Sequence, residues 1–124
     1  MADRLIIDLR LPIRNFRRSV ERFNKTIPEY VIDELVNLVF DVLIYETEGH
    51  REDPDLSRLG NFYRDHLERD PTFYRAFVGY FFDILRHICD QLRAHGLYSG
   101  DGFEFRPERN NKNRSIVVKK FDRD

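Results

Sequence analysis

The chain has 124 residues, a net charge of −1 and a single cysteine, Cys89. That length suits one compact domain over residues 1–124 with its own core, and one cysteine excludes an internal disulfide and fits a reducing, cytoplasmic setting. With 41% hydrophobic and 35% charged residues the composition excludes a disordered chain.

The near-neutral total conceals a segregation of charge. Residues 1–25 hold seven Arg or Lys against three Asp or Glu, a net of +4. Residues 26–58 hold two against nine, −7, and residues 59–101 hold five against six, −1. Residues 102–124 return to seven against four, +3. Of the 21 cations 17 are Arg, whose planar fork grips carboxylates and phosphates better than an ammonium does.

The opening segment sets Asp3, Arg4, Asp8 and Arg10 among its apolar residues. Charges at that density break both a signal-peptide core and a membrane span. From residue 4 to 11 the pattern alternates, with Leu5, Ile7, Leu9 and Leu11 on one side and Arg4, Asp8 and Arg10 on the other, which is the period of a half-buried strand ended by Pro12. From Ile13 the spacing changes to threes and fours through Phe16, Val20, Phe23 and Ile27, one stripe of a first helix. Arg14, Arg18, Arg22 and Lys25 line its opposite side as a basic ridge.

Thr26, Pro28 and Glu29 form a start signal for a second helix running to about Glu48 before Gly49. Its apolar residues cover most of its circumference, so it belongs at the centre. The loop HREDPD leads to a short third helix, Leu56 to Arg69, with Phe62, Tyr63 and Leu67 inward. Asp70, Pro71 and Thr72 repeat the start signal, and Gly96 marks the end of a long fourth helix whose inner stripe includes Phe73, Phe77, Phe81, Ile84 and Ile88. Phe103–Arg106 and Ser115–Phe121 read as the strands of a basic hairpin over 102–121, expected to pair with the N-terminal strand because an isolated hairpin is marginal. The fold expected is mainly α with a small antiparallel β-sheet (α+β): N-terminal strand, four-helix core, C-terminal hairpin.

No chemical motif accompanies these elements. Asp83, His87 and Asp90 share a helix face, but zinc sites draw ligands from separate segments, and neither a Cys pair nor HExxH occurs. His66, between Asp65 and Glu68, has no nucleophile beside it in sequence. Neither a metal, a cofactor nor catalysis is therefore expected. The stretch from Leu92 through Gly96 and Leu97 into the hairpin resembles the helix, glycine turn and wing of winged-helix DNA-binding domains over residues 85–121. That helix is apolar over most of its surface, and HLERDPTFY stands where the family has its corner, so no residue roles carry over.

The expected function is a non-enzymatic binding or adaptor protein. Its Arg-rich face, Arg14, Arg18, Arg22 and Lys25 with Arg106, Arg109, Lys112, Arg114 and Lys119, would dock on an acidic protein partner. The same cations would serve DNA or RNA binding, with the hairpin as wing or arm, and the aromatic, motif-free chain also suits a phage accessory or virion assembly component. No membrane partner is expected. Tyr74, Val78 and Phe82 form an apolar stripe beside the main one, suited to a homo-oligomeric interface.

Overall fold

The computed structural model describes residues 4–47, 54–96, 103–107 and 115–120. Strand β1 (Arg4–Asp8) leads directly into helix α1 (Arg10–Glu21), followed by α2 (Glu29–Thr47). A 3₁₀ turn (Leu56–Leu59) and a π turn (Tyr63–Leu67) precede α3 (Pro71–Ala94), and the chain returns to strands β2 (Phe103–Pro107) and β3 (Ser115–Lys120). The chain is thus mainly helical with a small antiparallel sheet.

The strand expected over 4–11 is shorter because the chain turns at Leu9. Asp8 Oδ1 accepts the backbone N–H of Arg10 at 2.9 Å, and the Leu9 carbonyl accepts the first helical bond, from Ile13, at 3.0 Å. Pro12 falls in the first turn of α1, where its missing N–H costs nothing. Leu11, expected inside by strand alternation, consequently sits on the helix and is 53% exposed.

α1 also ends earlier than the apolar spacing predicts. Asn24 adopts φ 58, the left-handed conformation that asparagine tolerates, and its N–H bonds to the Glu21 carbonyl at 2.9 Å. Ile27 is still buried, but from the segment after the helix. At the start of α2 the Pro28 carbonyl accepts from Val31 at 3.1 Å, so the proline stands just before the helix rather than inside its first turn.

The expected third helix is replaced by two tighter and wider turns. Asp55 accepts from the Ser57 N–H to start the 3₁₀ turn, Gly60 follows with φ 65, and the Glu68 N–H reaches back to Tyr63 at 2.8 Å. The wide turn still delivers Phe62 and Leu67 to the interior, with Tyr63 half-buried. α3 follows its sequence signals closely: Asp70 Oδ1 caps the Phe73 N–H at 3.1 Å, Pro71 takes the first turn, and Gly96 has φ 70 just past the helix end.

β3 is the central strand, in the order β1-β3-β2 with both pairings antiparallel. Leu5 faces Val118 and Ile7 faces Ile116, so Ile7, Ile116 and Val118 are buried against the helices. One cluster joins this sheet face to α1, α2 and α3. Its aromatic centre is Phe77, whose ring meets Phe16 and Phe73 edge-on at 5.0 and 5.9 Å and lies tilted against Phe62 at 5.7 Å. Such edge-to-face contacts add to the burial of large rings. No helix among the described residues is long and apolar enough to cross a membrane.

Candidate functional site

α1 and α3 pack side by side and leave a groove of about 300 Å³ between them. Leu11, Asn15 and Ser19 line it from α1, and Tyr80, Asp83 and His87 from α3. At Leu11 and His87 it opens into a broader hollow of about 720 Å³ that continues along β1, where Ile6, Asp8, Arg10, Arg14 and Gln91 complete the walls. The corner between β1 and α1 thus sets the groove's position.

That corner is fixed by one ion pair. Arg10 Nε donates to both Asp8 oxygens, at 3.1 and 2.9 Å, and its terminal nitrogen donates at 2.6 Å. The Arg10 side chain and then its backbone N–H hold the Asp8 carboxyl below its ordinary value, with His87 adding a smaller pull in the same direction. Asp8 raises Arg10 in return. An aspartate so held is a weak proton acceptor at neutral pH.

Arg14 and Arg18, one turn apart on α1, are both exposed. Arg22 is exposed too, just beyond the helix end. Lys25 departs from the expected ridge: it is half-buried, with Nζ 3.4 Å from His66 Nδ1 and 5.9 Å from the centre of the Phe73 ring. An ammonium can only donate, so His66 Nδ1 accepts. The Arg17 guanidinium, off the ridge, pairs with Glu29 at the start of α2, and Asp41 of α2 pairs with Arg58. The acidic helix therefore answers Arg17 of α1 and Arg58 of the 3₁₀ turn.

β1 and β3 bring the two basic ends of the chain together, with Arg4 in register with Lys119 and Arg106 in register with Val117. Arg109, Lys112 and Arg114 lie outside the described residues. The apolar stripe Tyr74, Val78 and Phe82 is half-buried against the core, so it offers less open surface than its spacing suggests. Tyr74 meets Tyr63 edge-on at 6.4 Å, and Phe82 meets Phe81 at 5.9 Å. Among the described residues the exposed large apolar side chains are Ile6, Leu11 and Tyr30, and the first two share the hollow beside β1.

The histidines separate. His87 lines the α1–α3 groove, whereas Asp90 lines a different one with Phe82, Cys89 and Arg93, so helical spacing does not unite them on one site. Among the described residues no three His, Cys, Asp or Glu side chains converge as metal ligands would. His66 meets the Phe62 ring at 5.0 Å, tilted by 53°, and His95 Nδ1 lies 2.9 Å from the Gln91 carbonyl at the end of α3.

Sequence reasoning missed Ile6. Its signal was an apolar residue on the otherwise charged side of an alternating strand. No family model, curated protein or solved structure matches the chain.

Proposed function

We propose that the chain is a non-enzymatic docking protein that takes an acidic segment of a protein partner against α1, its carboxylates on Arg14 and Arg18 and its apolar side chains in the groove beside Leu11. The observation that carries the reading is that Arg14 lines the hollow into which the groove opens at the exposed Leu11, with Arg18 exposed one turn further along the same helix. Guanidinium forks suit carboxylates in bidentate geometry, and the exposed Leu11 beside Arg14 adds apolar contact beyond what exposed ion pairs contribute. Arg22 extends the same face, and the basic β2–β3 hairpin, with Arg106, Arg109, Lys112, Arg114 and Lys119, supplies a second arm of like charge.

A titration of the full chain against polyglutamate, duplex DNA and single-stranded RNA at two salt concentrations tests the reading. The expected result is salt-sensitive binding of polyglutamate, lost in the Arg14→Ala, Arg18→Ala double variant while its thermal melt is unchanged. Tighter binding of nucleic acid, lost instead on Arg109→Ala, Lys112→Ala and Arg114→Ala, replaces the proposal with nucleic-acid recognition.

A further inference from the structure

The sheet order leaves β1 outermost, and among the described residues no strand pairs with its other edge. Such an edge presents unpaired backbone donors and acceptors to whatever strand can align with them. Ile6 is 54% exposed, whereas its neighbour Ile7, pointing to the opposite face of the strand, is 1% exposed. The strand reads Arg-Leu-Ile-Ile-Asp, with opposite charges at equal distances from Ile6.

We infer that the free edge of β1 pairs antiparallel with β1 of a second copy, about a two-fold axis at Ile6, with Arg4 opposite Asp8 of the second copy. In this register Leu5 falls opposite Ile7, Ile6 opposite Ile6, and the two small sheets become one of six strands. Hydrogen-bond polarity permits it, because antiparallel partners on a shared edge must have matching parity, and 4 with 8 and 6 with 6 both satisfy that condition.

Charge selects this register over its competitors. Parallel pairing in register would set arginine against arginine and aspartate against aspartate. Antiparallel slips of two residues would place Arg4 opposite Ile6, or Asp8 opposite Ile6, and lose both ion pairs. Arg4, Ile6 and Asp8 also share one face of the strand, so the ion pairs flank the stacked isoleucines rather than lying across the sheet from them. Asp8 stays reachable by an added partner, because its bonds to Arg10 leave the side chain 48% exposed.

Beside β1 an open hollow is lined by Ile6 and Asp8 together with residues of α1 and α3, so the strand's side chains there are not packed over by the helices. The sheet's other edge, β2, ends on Pro107, which lacks a ladder donor and blunts pairing there. Backbone bonds and the isoleucine stack carry the affinity, and the exposed ion pairs set the register. So short an edge lies at the small end of specific interfaces, so the dimer is concentration-dependent.

Sedimentation equilibrium of the full chain over a wide concentration range is the test, with circular dichroism melts as the folding control. The expected result is a monomer–dimer equilibrium abolished by Ile6→Lys. Arg4→Asp alone, which sets carboxylates against each other at both ends, weakens it about tenfold. Mixing the Arg4→Asp chain with the Asp8→Arg chain restores association as a heterodimer, because only the mixed pair has opposite charges at both ends. As Asp8→Arg also removes the bonds at the α1 corner, Ile6→Cys in a Cys89→Ser background gives an independent reading: the two introduced thiols meet at the axis and crosslink on oxidation. A wild-type chain that stays monomeric at every concentration overturns the inference, as does a dimer indifferent to both Ile6→Lys and Arg4→Asp. Neither result bears on polyglutamate binding by Arg14 and Arg18, which is measured separately.

Discussion

The two sides of α3 handle apolar surface differently. Toward α2, Phe82, Leu85 and Cys89 line a groove of about 350 Å³ with Val42, and Phe82 is half-buried there. Toward α1 and β1, α3 contributes Tyr80, Asp83, His87 and Gln91, and the apolar side chains left most open come from the other wall, Ile6 and Leu11. Apolar residues added to a long helix are absorbed by its neighbours, because each turn already packs on a core. At the β1–α1 corner the outcome is divided: Leu9 is fully buried, whereas Ile6 before it and Leu11 after it stay about half exposed.

The largest test of this contrast removes what both sides share. Phe77→Ala, at the aromatic centre, is expected to cost about 3–5 kcal/mol through lost burial and the cavity left behind, read by denaturant unfolding. Phe82→Ala sharpens the comparison on the α2 side. A ring only half removed from water should contribute about 1–2 kcal/mol, and a cost near zero would mark Phe82 as the open contact surface in place of Leu11.

On the α1 side the expected effects are smaller and more conditional. Asp8 is held below its ordinary value by Arg10, so its ionised form is favoured by folding. That contribution is complete above the ordinary carboxylate range and is lost as pH falls through the lowered folded value. Melting temperatures of the wild type should therefore drop on acidification below about pH 4, and Asp8→Asn should be less stable at neutral pH with a shallower acid decline. The half-exposed position of Asp8 keeps the difference small. Leu11→Ser should change stability least, by about 0.5 kcal/mol or less, read by the same unfolding measurement; a loss like that of Phe77→Ala would place Leu11 in the core.

Much of the fold was legible in the chain because its signals are local. Asp70 and Pro71 cap and open α3 where a start is expected, Gly96 takes a positive φ where a stop is expected, and Leu5 and Ile7 alternate toward the core. The readings that failed concerned signals with two local meanings. Pro12 ends a strand or sits in a helix's first turn with equal ease, and the Asp8–Arg10 bond decides for the helix. Asn24 looks like ordinary polar sequence until its left-handed φ ends α1 and removes Lys25 from the basic ridge.

The candidate site was less legible than the fold. Arg14 and Arg18 were visible as a pair by helical spacing alone, but the groove beside them needs α1 and α3 to lie together, and neither helix's sequence states that neighbour. Asp83, His87 and Asp90 illustrate the converse, since their shared spacing implied one cluster and the packing of α3 against α1 on one side and α2 on the other divides it.

By itself the sequence determined the kinds of element, the deep burial of α2 and α3, and the basic ends around an acidic middle, because periodicity, caps and charge are properties of neighbouring residues. Only the tertiary structure decided that β3 lies between β1 and β2, that Lys25 turns toward His66 and Phe73, and that Ile6 and Leu11 stay open on one hollow. Those outcomes depend on which surfaces meet across long stretches of chain, where burial is won by the whole core at once rather than by any residue's local preference.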